Sequence, residues 1–169
     1  MSLLRIELLG AEVLRRRADE VAGPPDAALQ TLIDDMFETM YEANGIGLAA
    51  PQVGISKRVI VVDVNEEGSQ PFALLNPRIV EDRAAGDRGE EGCLSIPGVS
   101  AMVERPERVV VEGLDRTGAP VRIEADGMLA RCLQHEIDHL DGVLFIDRIG
   151  PLKRNMLLKK YRKQQAAER

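Results

Sequence analysis

QHEIDHLDG, residues 134–142, is the stretch around which the chain is organised. It contains a His-Glu-x-x-His pattern made of His135, Glu136 and His139, and the chain has 2 histidines in all. On an α-helix, residues four apart lie on one face, so both imidazoles can bind one divalent metal ion. Glu136 would lie beside the ion and take a proton from a water whose pKa the ion has lowered. The pattern predicts a helical metal site, although surface or core histidines can produce it by chance.

A metal site needs a third ligand, and the chain offers two cysteines. Cys93 lies in the segment 90–97, between Gly92 and Pro97, which we predict to be extended. A thiolate beside a divalent ion is deprotonated and binds it directly. Cys132 is the competing candidate, but it lies in the apolar stripe of the predicted helix and is better explained as a small buried side chain. We therefore expect Cys93 to be the third ligand.

Composition indicates an ordinary globular protein. The chain has 169 residues, of which 44% are hydrophobic and 30% charged, and this is enough for one domain with a full core. No apolar run approaches the roughly 20 residues that span a bilayer, and charge interrupts the N-terminus too early for a secretory signal. Two cysteines without regular spacing favour a reducing compartment. We expect one catalytic domain over residues 1–169, located in the cytoplasm.

Charge is distributed unevenly along the chain. The net charge is −6, yet residues 151–163 contain 6 basic side chains and no acidic one. A basic segment on an acidic body is a candidate contact for a polyanion. The same residues would also suit the C-terminal part of a solvated helix. Composition alone leaves both interpretations open.

Apolar spacing and turn residues divide the chain into helices and short strands. We predict a short helix at 11–21, a long amphipathic helix from the N-cap Asp26 to Asn44-Gly45, and a final helix from Pro151. Strands are expected at 58–64, 72–75, 78–80, 108–114 and 121–125, with a loop at 81–90 and a hairpin turn at 115–118. This order indicates an α+β fold, with mainly antiparallel short strands around the metal-binding helix and with N- and C-terminal helices.

The segment GIGLAA, residues 45–50, matches the dinucleotide-binding pattern G-x-G-x-x-A. The context is wrong for that function, because a helix precedes the segment and Pro51 disfavours a helical Ala50. Small residues instead favour a strand that a ligand backbone can approach closely. Gln52 follows, and a buried glutamine amide could donate to a developing oxyanion. Without further motifs, a glycine-rich turn with a surface glutamine would be the preferred explanation.

Three segments in this order resemble the signature motifs of peptide deformylase. They are GIGLAAPQ at 45–52, EGCLS at 91–95 and QHEIDH at 134–139. The similarity extends from the N-terminal helix to the basic helix expected at 151–169, as in the bacterial type with a C-terminal helix. The resemblance implies that the chain removes the formyl group from the N-formylmethionine of nascent peptides and releases formate.

The resemblance also implies a role for the site residues. Three side chains would hold one divalent ion: Cys93, His135 and His139. Water would be the fourth ligand, and the native ion would be Fe2+, which Zn2+, Ni2+ or Co2+ can replace. Glu136 would act as the general base. The Gln52 amide and the backbone N–H of Leu94 would stabilise the oxyanion.

Substrate contacts are implied in the same way. The main chain from Gly45 to Gly47 would pair with the substrate peptide as an added strand. Ile46, together with the helix face that bears Met128 and Cys132, would form the pocket for the methionine side chain.

Four other residues are notable by comparison with the family. Glu91 and Arg105 resemble its buried ion pair, which braces the cysteine loop; a surface pair is the alternative. Ser100 stands where some bacterial members have an arginine that holds the substrate backbone. Arg131 stands where some members have an apolar residue near the methionine pocket. We therefore expect differences in substrate affinity and at the outer rim of the pocket.

The expected partners are N-formylmethionyl nascent peptides and, through the basic helix at 151–169, the ribosome. We expect a monomer without membrane contact. Two other functions remain open: a His-Glu-x-x-His metallopeptidase, and a metal- or ribosome-binding module without catalysis. Cleavage of internal peptide bonds instead of formate release would identify the peptidase, and the intact Glu136 argues against the module.

Overall fold

The computed structural model describes residues 2–168, so Met1 and Arg169 of the predicted domain lie outside the described residues. Within this range the helices are α1 (Ala27–Glu42), α2 (Gly127–Leu140) and α3 (Pro151–Ala167). The strands are β1 (Gly47–Ala49), β2 (Val59–Val62), β3 (Phe72–Cys93), β4 (Ile96–Leu114) and β5 (Pro120–Asp126). Short 3₁₀ turns occupy Glu12–Arg15, Ala50–Val53 and Phe145–Arg148. None of the helices in the described chain is long and apolar enough to cross a membrane.

The strands form one antiparallel sheet in the order in which they occur in the chain. β3 and β4 make a long hairpin in which Cys93 pairs with Ile96 at the turn. The predicted α+β class is confirmed, but these two strands are much longer than the short strands expected. The loop predicted at 81–90 is wrong, because these residues belong to β3. Their backbone pairs with β4, and such hydrogen bonds do not require apolar side chains.

Helices cover both faces of the sheet near β2. Successive residues of a strand point to opposite faces, so a strand that is covered on both sides is apolar throughout. Ile60 and Val62 pack in the cluster that includes the apolar residues of α2. Val59 and Val61 pack in the cluster that includes those of α1. The helix α2, which carries the predicted metal-binding histidines, therefore packs across one face of the sheet.

The N-terminal part contains one confirmed prediction and one that is wrong. α1 begins after its predicted N-cap, where the Asp26 carboxylate accepts a hydrogen bond from the Leu29 N–H at 2.8 Å. The helix predicted at 11–21 does not form; the described residues contain a 3₁₀ turn at Glu12–Arg15 instead. Farther along, the Ala18 N–H donates to the Leu140 carbonyl at 2.8 Å. The backbone thus bonds to another element and is not available for a helix.

The C-terminal helix starts at Pro151, as predicted, and packs beside the β3–β4 turn. Leu157 and Tyr161 are buried in an apolar cluster with Ile96 and Phe145. One side of α3 therefore contributes to the core that supports the cysteine segment. Most of its basic side chains lie on the exposed side.

Candidate active site

The side chains predicted to bind a metal ion lie together. Cys93 ends β3, and His135 and His139 are one turn apart on α2. Their ligand atoms all lie within 4.8 Å of one another, and the Cys93 Sγ is 3.4 Å from the His139 Nε2. A thiolate with two imidazoles suits divalent transition metals such as iron, zinc or nickel. The three residues could therefore hold one such ion.

A buried carboxylate orients the first histidine. The His135 Nδ1 is 2.9 Å from the Glu91 Oε1. When Nδ1 carries the proton and donates to this oxygen, Nε2 is free to bind an ion. Burial acts to raise the pKa of Glu91, but hydrogen bonds from His135 and Arg105 outweigh it and lower the pKa to about 2. Glu91 is consequently ionised at neutral pH.

The ion pair between Glu91 and Arg105 is buried, so the surface alternative is wrong. The Arg105 Nε lies 2.6 Å from the Glu91 Oε2, and its Nη2 lies 2.9 Å from Oε1. Arg131 is a further partner, with its Nη1 2.7 Å from the Glu91 Oε2. The sequence suggested that Arg131 affects the rim of the methionine pocket. Its side chain does border the cavity, but the guanidinium reaches into this ionic cluster.

The carboxylate of Glu136 is buried beside the ligand residues. Its Oε1 has no hydrogen-bond partner among the described residues. Burial raises the pKa of Glu136 to about 7. A carboxyl group with a pKa near neutrality can both accept a proton and return it. Glu136 is therefore a candidate proton acceptor beside the residues that could hold an ion.

The amide of Gln52 faces the same space. Its Oε1 accepts a hydrogen bond from the Ala49 N–H at 3.0 Å, which determines the orientation of the amide. The Nε2 lies 3.2 Å from the Ser95 Oγ and 3.5 Å from the Cys93 Sγ. The amide thus presents N–H donors to the site, where they could stabilise negative charge.

A cavity of about 600 Å³ opens in front of these groups. Its walls include all the residues predicted to contact substrate: Gly45, Ile46, Gly47, Met128 and Cys132. Leu94, Gln52, Cys93, His135 and Glu136 also line it. Ile46 and Met128 are 39% and 47% exposed, so they form the outer part, whereas Cys132 is buried at the inner end. The cavity therefore combines an apolar wall with the polar groups of the site.

Ser95 and Asp138 lie close to the site but were not predicted to belong to it. Ser95 contacts the Gln52 amide, and Asp138 accepts hydrogen bonds from Arg105 at 3.0 Å and Arg148 at 2.8 Å. Both lie inside the motifs at 91–95 and 134–139. The local sequence gives no signal for the partner of Asp138 on the sheet, because Arg105 is 33 residues away.

Proton transfer by a buried carboxylate next to ion-binding sulfur and imidazole groups is the chemistry of metal-dependent hydrolases. The fold and the site place the chain in that class. Residues 3–155 match the family described as polypeptide deformylase. The chain belongs to this family.

Individual relatives resemble the chain over nearly its whole length. The peptide deformylase of Thermodesulfovibrio yellowstonii is 52% identical over 164 residues, which cover 96% of this chain and 98% of the relative. A crystal structure of a peptide deformylase from Legionella pneumophila has a TM-score of 0.92 and 46% identity, covering 99% of this chain and 98% of that one. The enzyme from Synechococcus elongatus in complex with actinonin has a TM-score of 0.88 and 50% identity, covering 93% and 86%.

Gly47 is a position where only glycine leaves room for the proposed general base. A Cβ atom there would lie 2.5 Å from the Glu136 Oε2 and 2.7 Å from the Cys132 Sγ. Gly47→Ala should therefore displace the carboxylate and lower kcat for formyl-peptide hydrolysis about 100-fold, the scale expected for a misplacement of roughly 1 Å. Gly150→Ala is the control, because a Cβ there meets nothing within 4 Å. Equal kcat values for the two variants would contradict the assignment of Glu136.

Proposed function

We propose that the chain hydrolyses the formyl amide of N-formylmethionyl peptides, yielding formate and a free amino terminus. Membership of the deformylase family supports this activity. The observation that carries it is the meeting of Cys93, His135 and His139 within 4.8 Å, beside a cavity lined by Glu136. An apolar cavity suits methionine, and the polar groups at its inner end suit an amide.

Three residues of this chain would hold the ion: Cys93, His135 and His139. When bound, a divalent ion lowers the pKa of water and polarises a carbonyl group. We propose Fe2+ as the native ion, following the resemblance to the family, and the sulfur and nitrogen donors also accept Zn2+, Ni2+ or Co2+. The hydrogen bond between His135 and Glu91 supports the role of His135 as a metal ligand. Because Nδ1 bonds to Glu91, Nε2 is the nitrogen left to bind the ion.

Glu136 would transfer the proton. It would accept a proton from the attacking water as the oxygen adds to the formyl carbon, and then give it to the amine nitrogen as the C–N bond breaks. The unpaired Oε1 and the raised pKa of Glu136 both favour this cycle. The Gln52 Nε2 and the Leu94 N–H would donate to the oxygen that gains negative charge.

The substrate peptide would bind along the edge of the sheet. β1 is the terminal strand of the sheet, and Gly45, Ile46 and Gly47 line the cavity beside it. An added strand would pair with this main chain, while the methionine side chain would contact Ile46, Met128 and Cys132. The glycines allow this approach, since they project no side chain toward the ligand.

We further propose that the enzyme works as a monomer, with residues 1–169 as one catalytic domain in the cytoplasm, where nascent chains are made. The basic side of α3 would contact ribosomal RNA. Lys153, Lys159, Lys160, Arg162 and Lys163 are all exposed, which supports a polyanionic partner.

Replacing the proposed base tests the reaction itself. Glu136→Gln keeps the size of the side chain but cannot accept a proton, so kcat for formate release from formyl-Met-Ala-Ser should fall at least 100-fold. The cavity-lining carboxylate of Glu90 provides the control, since Glu90→Gln should keep more than half of the activity. Wild-type turnover by Glu136→Gln would contradict the mechanism. Internal peptide cleavage without formate would instead support the metallopeptidase alternative.

The identity of the ion can be tested by exposure to air. Protein that is purified without oxygen should contain about one iron per chain and should lose formate-releasing activity in air, because a ferrous thiolate site is oxidised. The same protein reloaded with nickel should keep its activity under identical treatment. An air-stable preparation that contains zinc and little iron would refute Fe2+ as the native ion.

The contact with the ribosome is tested better by charge reversal than by truncation. Removing α3 would also remove the buried Leu157 and Tyr161 and so disturb the core beside the cysteine segment. Reversal of Lys159, Lys160 and Lys163 to glutamate should abolish co-sedimentation with ribosomes and leave kcat/KM on free formyl-peptides within about twofold, because attraction to phosphates depends on charge.

A matched control reverses three exposed arginines of the sheet, Arg83, Arg88 and Arg108, which changes the net charge by the same amount. This control should still co-sediment. Equal sedimentation of the two triple variants would rule out α3 as the contact.

A further inference from the structure

The guanidinium of Arg131 is buried between α2 and the β3–β4 hairpin. Arg131 is 9% exposed. Its Nη1 donates to the Glu91 Oε2 at 2.7 Å and to the Val103 carbonyl at 2.9 Å. Its Nη2 donates to the Asp87 carbonyl at 2.7 Å. Arg131 of α2 is thus hydrogen-bonded to both strands of the hairpin, and it lies four residues before the proposed ligand His135.

The Glu91 carboxylate is surrounded by donors on both oxygens. Oε1 accepts hydrogen bonds from the His135 imidazole and from one nitrogen of Arg105, each at 2.9 Å. Oε2 accepts hydrogen bonds from a second nitrogen of Arg105 at 2.6 Å and from the Arg131 guanidinium at 2.7 Å. A carboxylate has about four acceptor positions, so no rotation is possible without loss of a hydrogen bond. Arg131 completes this set.

The hairpin is shaped to accept the Arg131 side chain. A Cβ atom on Gly89 would lie 2.7 Å from the Arg131 Nε and 2.8 Å from its Cζ. Any side chain at position 89 would therefore displace the guanidinium. The glycine at this strand position is explained by contact with Arg131, since no positive φ angle is found there.

From these contacts we propose that Arg131 is a positioning residue for the metal site. By fixing Glu91, it fixes the imidazole of His135 in the orientation that binds the ion. This inference rests on the proposed metal site of Cys93, His135 and His139. It adds a second arginine to the single ion pair expected from the resemblance to the family.

The electrostatic effect of Arg131 and its positioning effect have opposite signs. Arg131 carries a positive charge near the cation site, so its charge alone repels a bound ion, and its removal would strengthen ion binding. Loss of a group that orients a ligand through a hydrogen bond typically weakens metal affinity 10- to 100-fold. The direction of the change therefore separates the two effects.

Cobalt-loaded protein provides a measurement that does not depend on turnover. The visible absorption of the thiolate-bound Co2+ is followed after excess chelator is added. Arg131 acts on His135 only through Glu91, so Arg131→Met should lose cobalt about tenfold faster than wild type, at the lower end of that range. Arg131→Lys keeps the charge but cannot reach all three acceptors, and it should be intermediate. Arg122→Met, on an exposed arginine, should match wild type.

A second variant moves the guanidinium without removing it. Gly89→Ala should accelerate cobalt loss in the same direction while every charge of the cluster is kept, and Arg88→Ala, on the exposed neighbour in β3, should not. The lack of a thermal unfolding transition in the cobalt-free protein would show that Arg131→Met does not fold. In that case the comparison of Gly89→Ala with Arg88→Ala tests the role of Arg131.

Cobalt loss at the wild-type rate, or slower, in Gly89→Ala and in a folded Arg131→Met would overturn the role of Arg131 and leave the metal site intact. A wild-type protein that binds no cobalt would overturn the metal site, and the role of Arg131 with it.

Discussion

The buried carboxylate of Glu91 is the interaction on which the arrangement of the site depends. The proposed metal ligands come from two elements that are distant in sequence, the end of β3 and the second half of α2. Glu91 lies two residues before Cys93 and accepts a hydrogen bond from His135, so it joins the two elements at the ligands themselves. A buried charge is tolerated only when its oxygens are fully paired, which explains why two arginines converge on this residue.

Close packing of α2 against β1 brings the proposed general base next to the strand that is proposed to bind substrate. The absence of a side chain at Gly47 brings the backbone of β1 next to Glu136 and Cys132. Because β1 is at the edge of the sheet, the backbone beside Glu136 is also the backbone that an extended peptide would reach first. The same packing that buries Glu136 and raises its pKa therefore positions it at the inner end of the cavity.

Local sequence patterns predicted the parts of the molecule that depend on local chemistry. The histidine spacing predicted a helix that carries both imidazoles, and α2 is that helix. The N-cap Asp26 predicted the start of α1. Cys93 was expected beside the two histidines and lies there. The long hairpin was not predicted, because the polar segment 81–90 is held by backbone pairing with residues far along the chain. The inward orientation of Arg131 was missed for a similar reason, since its acceptors are 28 to 44 residues away.

The position of the ion tests the account most directly. Crystals of anaerobically purified protein, measured at the absorption edge of the metal that it contains, would locate the ion by anomalous scattering. We predict a single peak enclosed by the Cys93 sulfur and the imidazoles of His135 and His139, with Glu136 beside it but not bound to it. A peak coordinated by other residues, or full occupancy at a site that excludes Cys93, would contradict the account.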